Sequence, residues 1–148
     1  MNLSKNVKID QVLGYYAAGT TKRTSAILDM SGYEGVCFVA GLGTIIATGT
    51  IDVFAEGDDA NAITDMAELA GTSAYTVTTA AAALTYSCII LDVYKPLERY
   101  IQCNITPAGQ QAVILGIVAI RYKGHMGPEA MTTPYPLKAT MLISPAEE

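Results

Sequence analysis

The sequence predicts an all-β protein built as an antiparallel sandwich or barrel, and three observations carry that reading. Turn signals recur about every ten residues, with short apolar or alternating runs between them. Those runs are rich in β-branched residues, which suit a pleated surface better than a helix. One stretch, Arg99 to Tyr122, reads as two long strands folded over a short turn.

That stretch is the expected spine of the domain. Ile101, Cys103 and Ile105 alternate with Gln102, Asn104 and Thr106, the period of a half-buried strand. Thr106-Pro107-Ala108-Gly109 then supplies a type I turn, with Pro at its second position and Gly free to take a left-handed conformation. From Ala112 to Ile120 the chain is apolar on both faces, and Gly116 within it argues against a helix. Such a strand lies inside a sandwich or against a partner chain. Residues 111–122 would cross about 40 Å at roughly 3.3 Å per residue.

Composition narrows the function classes. The 148 residues suit one domain, about half of them are apolar and 16% are charged, so an extensive core is expected. A net charge of -5 with nine scattered basic residues speaks against nucleic-acid binding. No apolar run of membrane-spanning length occurs, and MNLSKNVKIDQVLGYY lacks the pattern of a signal peptide. Cys37, Cys88 and Cys103 are widely spaced in apolar runs, which reads as free thiols in a chain assembled in a reducing cytoplasm.

In chain order, Val7, Ile9 and Val12-Leu13 suggest a first strand, followed by a packed Tyr15-Tyr16 pair and a polar loop over 17–23. Ser25 to Asp29 is a second short strand, and Gly32 turns the chain toward a buried strand at Val36 to Ala40. The Gly-rich segment 41–49 reads as a flexible connector. Thr50 to Glu56 alternates cleanly, with Ile51, Val53 and Ala55 on one face. Residues 60–70 hold the best helix candidate, with Ile63, Met66, Ala67 and Ala70 at helical spacing; the rival is a turn at a strand edge. Tyr75 to Thr79 is strand-like, 80–83 a loop or single turn, and Leu84 to Tyr94 another strand. Beyond Lys123, Pro128, Pro134, Pro136 and Pro145 rule out a long helix or central strand. This part is expected to be an extended arm whose residues 139–144 add a strand to a neighbouring chain. The expected division is an N-terminal arm and first strand over 1–24, a sandwich over 25–124 and a C-terminal arm over 125–148.

Asp29-Met30-Ser31-Gly32-Tyr33-Glu34-Gly35-Val36, the acidic Gly57-Asp58-Asp59 after an alternating strand, and Arg99-Tyr100-Ile101 leading to Tyr122 fall in one order. Over residues 25–124 that order resembles a family of small decoration, or cement, proteins of tailed-bacteriophage heads. The resemblance implies a jelly-roll type of sandwich, so that the whole expectation is a jelly-roll-like sandwich with extended N- and C-terminal arms. It also implies a homotrimer seated on the outside of the capsid, with the major capsid protein as partner and the virion as location. Interface residues expected on this reading are Arg99, Ile117, Tyr135, Met141, Leu142 and Ile143, with Arg99 pairing to Asp92 or Glu98. The alternative is a tail or fibre component, or a receptor- or carbohydrate-binding module on the same sandwich; the absence of Trp and the spread of the tyrosines favour the cement role.

Catalytic and cofactor motifs are weak, so no enzyme, cofactor or metal is expected. His125 is the one histidine, too few for a cupin-type metal centre or a nucleophile triad. Gly41-Leu42-Gly43 begins like a dinucleotide fingerprint, but Ile46 occupies the third glycine position. Asp58-Asp59 lacks the spaced oxygen ligands of a calcium loop and reads as a solvated turn.

Overall fold

A computed structural model describes residues 6–76 and 86–123. Ten strands run in order through them: β1 Val7–Leu13, β2 Tyr16–Gly19, β3 Arg23–Thr24, β4 Leu28–Asp29, β5 Gly35–Ile45, β6 Thr50–Asp58, β7 Ala67–Thr76, β8 Ser87–Tyr94, β9 Tyr100–Ala108 and β10 Ala112–Tyr122. They form two antiparallel sheets. Sheet A has the order β1-β10-β5-β8, with β2 also on β10; sheet B has β3-β9-β6-β7, with β4 also on β9.

This is the winding of a jelly roll. With β1–β2 and β3–β4 each taken as one position, the first position pairs with the last, the second with the seventh, the third with the sixth and the fourth with the fifth. A long antiparallel ribbon wrapped around a core produces that nesting. Between the sheets lies one core, in which Phe38, Leu42, Ile45, Ile51, Val53, Ile101, Ile105 and Ile117 are all nearly or wholly buried. Ile51, Val53 and Ala55 point inward, as the alternation in β6 required.

Several expectations change. β9 and β10 do not form a hairpin: β9 pairs with β6 and β10 with β5, so the turn at Gly109 (φ 74°) carries the chain from one sheet to the other. Pro107 lies within β9, opposite Ile51, where β3 no longer flanks it. One side of the strand has no described strand neighbour there, so the missing N–H need not break the sheet. The Gly-rich connector is instead the continuation of β5 to Ile45. The helix expected over 60–70 is absent; its second half begins β7, paired with β6 from Gly57 opposite Ala67. The N-terminal segment is no separate arm, since β1 and β2 both pair with β10 and β3 with β9. Gly32, at φ 86° with Tyr33 N–H donating to the Met30 carbonyl (3.0 Å), makes the expected turn. The segment 80–83 and the arm from 125 onward lie outside the described residues. Among the described residues no helix is long and apolar enough to cross a membrane.

Candidate interaction surface

The two outer faces of the sandwich are built from unlike residues. Paired positions in an antiparallel sheet share a face, so the register assigns each outward side chain. On sheet B, Phe54 stands beside Asn104, which stands beside Thr24, while Glu56 stands beside Gln102. Thr24 Oγ1 donates to Asn104 Oδ1 (2.6 Å) and Gln102 Nε2 to Glu56 Oε2 (2.6 Å). Lys22 pairs with Glu56 at 2.9 Å and places its ammonium 5.0 Å from the Phe54 ring centre. Burial pushes the Glu56 carboxyl up, but the hydrogen bonds from Lys22 and Gln102, with the Lys22 charge, outweigh it and leave it below its ordinary value. This face carries a polar network in which Asn104 Nδ2 and Gln102 Oε1 are buried without a hydrogen-bond partner, and its one phenylalanine ring is already covered by a cation.

Sheet A is the reverse. Across β1, β10, β5 and β8 one outer row reads Ile9, Ile120, Cys37, Asp92, and the next Gln11, Val118, Val39, Ile90. Ile90 is 57% exposed and Leu115 41%. Beyond the β10 bulge, Val113 and Leu115 lie over glycines: a side chain at Gly43 would meet Val113 Cγ1 at 2.9 Å, and one at Gly41 would touch Leu115. Only Asp92 among the outward residues of β5, β8 and β10 carries a charge, and it accepts a hydrogen bond from the Tyr122 hydroxyl (2.6 Å). Burial, then that bond to a carboxylate, pushes the Tyr122 phenol well up. Tyr122 itself lies over Gly35, whose missing side chain makes room for the ring. β10 is thus apolar on both sides because one side faces the core and the other this surface.

One end of the sandwich is closed by charge. Arg121 points inward at the last turn of β10, donating from Nη1 to the Asp29 carbonyl (2.7 Å) and from Nη2 to Asp10 Oδ2 (2.7 Å). Its guanidinium also stacks 4.8 Å from the Tyr33 ring centre. Arg99 pairs with Asp29 through two bonds, Nε to Oδ1 at 3.0 Å and Nη2 to Oδ2 at 2.9 Å, rather than with Asp92 or Glu98 as expected. Glu98 instead sits near Asp59 and Asp58, whose negative charge raises its carboxyl. The Arg99 bonds, with the Ser31 N–H on Oδ1 (2.9 Å), hold the Asp29 carboxyl at about 2, below its ordinary 3.8. A carboxylate whose folded value is depressed adds stability above its unfolded value and loses it as pH falls through the folded one. Urea midpoints of the wild type should therefore drop between about pH 4 and pH 2, and less so in Asp29→Asn, which starts lower and has no such group to titrate. Equal slopes for both proteins would contradict the assignment.

Of the expected interface residues, Arg99 is exposed at this charged end, while Ile117 is wholly buried in the chain's own core and so contributes to the sandwich and not to a surface. Tyr135, Met141, Leu142 and Ile143 lie outside the described residues, as does His125. The three cysteines are free thiols. Burial pushes Cys103, in the core, up to about 12, and burial followed by the nearby Asp92 raises Cys37, on the outer face of sheet A. Among the described residues no group of three or more His, Cys, Asp or Glu side chains could hold a metal ion. The outward apolar residues of β5 and β8 and the inward Arg121 were missed by sequence reasoning. A charge closing an otherwise apolar strand was the available signal for Arg121.

No family model matches the chain, and no curated protein matches it. Among solved structures, dimeric latent PorU from Porphyromonas gingivalis is similar to 80% of this chain and 13% of its own length, at 9% identity and a TM-score of 0.48. The chain thus corresponds to a small part of that protein, a likeness too distant to bear on function.

Proposed function

We propose that the chain is an accessory head protein of a tailed bacteriophage, a decoration or cement protein that binds the outside of the capsid as a homotrimer and stabilises it. The observation that carries this reading is the unequal polarity of the two outer faces on a jelly-roll sandwich. A sheet with one apolar outer face is suited to contact protein, whereas the opposite face is polar, with Lys22 and Gln102 bonded to Glu56 and Thr24 to Asn104. The resemblance over residues 25–124 supplies the kind of partner. Its work is binding: a trimer that touches several capsomers at once adds modest contacts into a strong hold through effective concentration. The side carrying sheet A is the contact side. A sugar-binding role gains no support from sheet B, where Lys22 occupies the face of Phe54.

The test is sedimentation of purified protein with expanded capsids that lack it, together with its mass in solution by light scattering. Co-sedimentation at a fixed ratio to capsid subunits, with a mass of three chains, is expected. Failure to sediment with the capsid would overturn the reading.

A further inference from the structure

We propose that the surface meeting sheet A carries carboxylates that pair with Lys95 and Lys123 at the Tyr94 corner of that face. The inference rests on the reading of sheet A as the contact side, and it names the chemistry the capsid partner brings there. One outer row of the sheet runs Tyr122, Gly35, Tyr94 across β10, β5 and β8. Tyr94 points outward and is 54% exposed. Just past each strand end stands a lysine in the left-handed region, Lys95 after β8 (φ 50°) and Lys123 after β10 (φ 53°). Both ammoniums reach the same ring, at 5.4 and 4.9 Å from the Tyr94 ring centre.

The backbone holds this corner in place. The Lys95 N–H donates to the Glu34 carbonyl (2.7 Å) and the Glu34 N–H to the Tyr122 carbonyl (3.2 Å), so both strand ends are fixed against one residue. A lysine Cβ is crowded in the left-handed region, and two such residues converging on one exposed ring mark a corner built for contact. Its charge is also unbalanced. Lys22, Arg99 and Arg121 each have a carboxylate at 2.7–2.9 Å, but Lys123 has Glu34 only at 3.5 Å. Among the described residues no carboxylate stands within ion-pair reach of Lys95. Asp92, the acid of the same face, already accepts from the Tyr122 hydroxyl (2.6 Å). Two exposed cations beside an apolar patch have the anatomy of an interface rim, where charge meets its opposite and fixes orientation. They match one or two carboxylates rather than the continuous charge of a nucleic-acid backbone, which the net charge of -5 would repel.

The test is co-sedimentation with capsids that lack the protein, at about 50 and about 500 mM salt. Wild type is compared with Lys95→Gln/Lys123→Gln, and a urea midpoint shows that the variant folds. Wild-type affinity is expected to fall about tenfold at the higher salt. The variant should bind about tenfold more weakly than wild type at the lower salt and lose most of the salt dependence. A folded variant that binds like wild type, with the same salt dependence, would overturn the inference and leave the contact side in place. Wild-type protein that fails to sediment at either salt would overturn the head-protein reading, and the inference with it. Should the variant misfold, zero-length carbodiimide coupling of the wild-type complex, mapped by mass spectrometry, decides. Amide links from Lys95 or Lys123 to Asp or Glu of the capsid protein support the inference, and links only to carboxylates of this chain overturn it.

Discussion

Ile117→Asp is expected to abolish folding. Ile117 has no exposed surface and sits at the centre of sheet A, opposite Leu13 of β1 and Ala40 of β5. Removing its side chain forfeits about 2–3 kcal/mol of apolar burial. An aspartate in its place must either stay ionised without a partner or take up a proton in an apolar site, which costs several kcal/mol more. The sum is about the whole stability margin of a domain of this size. Circular dichroism and a urea titration check it: a cooperative transition near the wild-type midpoint would show that Ile117 is not in the core. Ile117→Val, which keeps the burial and loses one methylene, should cost only about 1 kcal/mol.

Gly116→Val is the second large effect, and its cause is the backbone. Gly116 has φ 141°, a region that side chains rarely tolerate, at a bulge where the registers of β10 with β1 and with β5 both shift. A Cβ there would lie 2.6 Å from the Leu13 carbonyl oxygen and 2.6 Å from Gln11 Nε2, which already donates a hydrogen bond to that carbonyl. The carbonyl belongs to a paired strand and cannot move away cheaply. Strain and overpacking together should cost about 3 kcal/mol or more, a fall of roughly 10 °C in Tm. Gly14 is the control: nothing stands within 4 Å of its position, and Gly14→Ala should leave Tm nearly unchanged. Equal Tm values for Gly116→Val and wild type would mean that the bulge is placed wrongly.

Much of the sandwich was legible because alternation reports which side of a strand is buried. It placed Ile51, Val53 and Ala55 inside, and Ile101, Cys103 and Ile105 with them. Alternation does not name the partner strand, which is why β9 and β10 read as a hairpin while they belong to different sheets. Residues 60–70 failed for a related reason. Ala67 to Ala70 are helix formers by propensity, but pairing with β6 at the edge of sheet B prevails over that weak preference. Gly41 and Gly43 were read as flexibility, whereas they are strand positions whose small size lets Leu115 and Val113 lie across them. The charged end was invisible for want of distance information: Arg99 and Asp29 are 70 positions apart, and nothing local distinguishes Asp29 from Asp92 or Glu98 as a partner. The apolar outer face was half legible. β10 announced it by being apolar on both sides, but its extension over Val39 and Ile90 required the register of β5 with β8.

The account rests on sheet A carrying the contact side, and one measurement addresses that most directly: capsid co-sedimentation of Ile90→Asp beside Asp52→Lys. Both positions are outward on their sheets, Ile90 on the apolar face and Asp52 on the polar one, so both variants should fold. Ile90→Asp is expected to lose most of its binding, by about tenfold or more, because a charge must be stripped of water in the contact. Asp52→Lys should bind like wild type. Undiminished binding by a folded Ile90→Asp protein, or loss of binding confined to Asp52→Lys, would contradict the assignment of sheet A as the contact side.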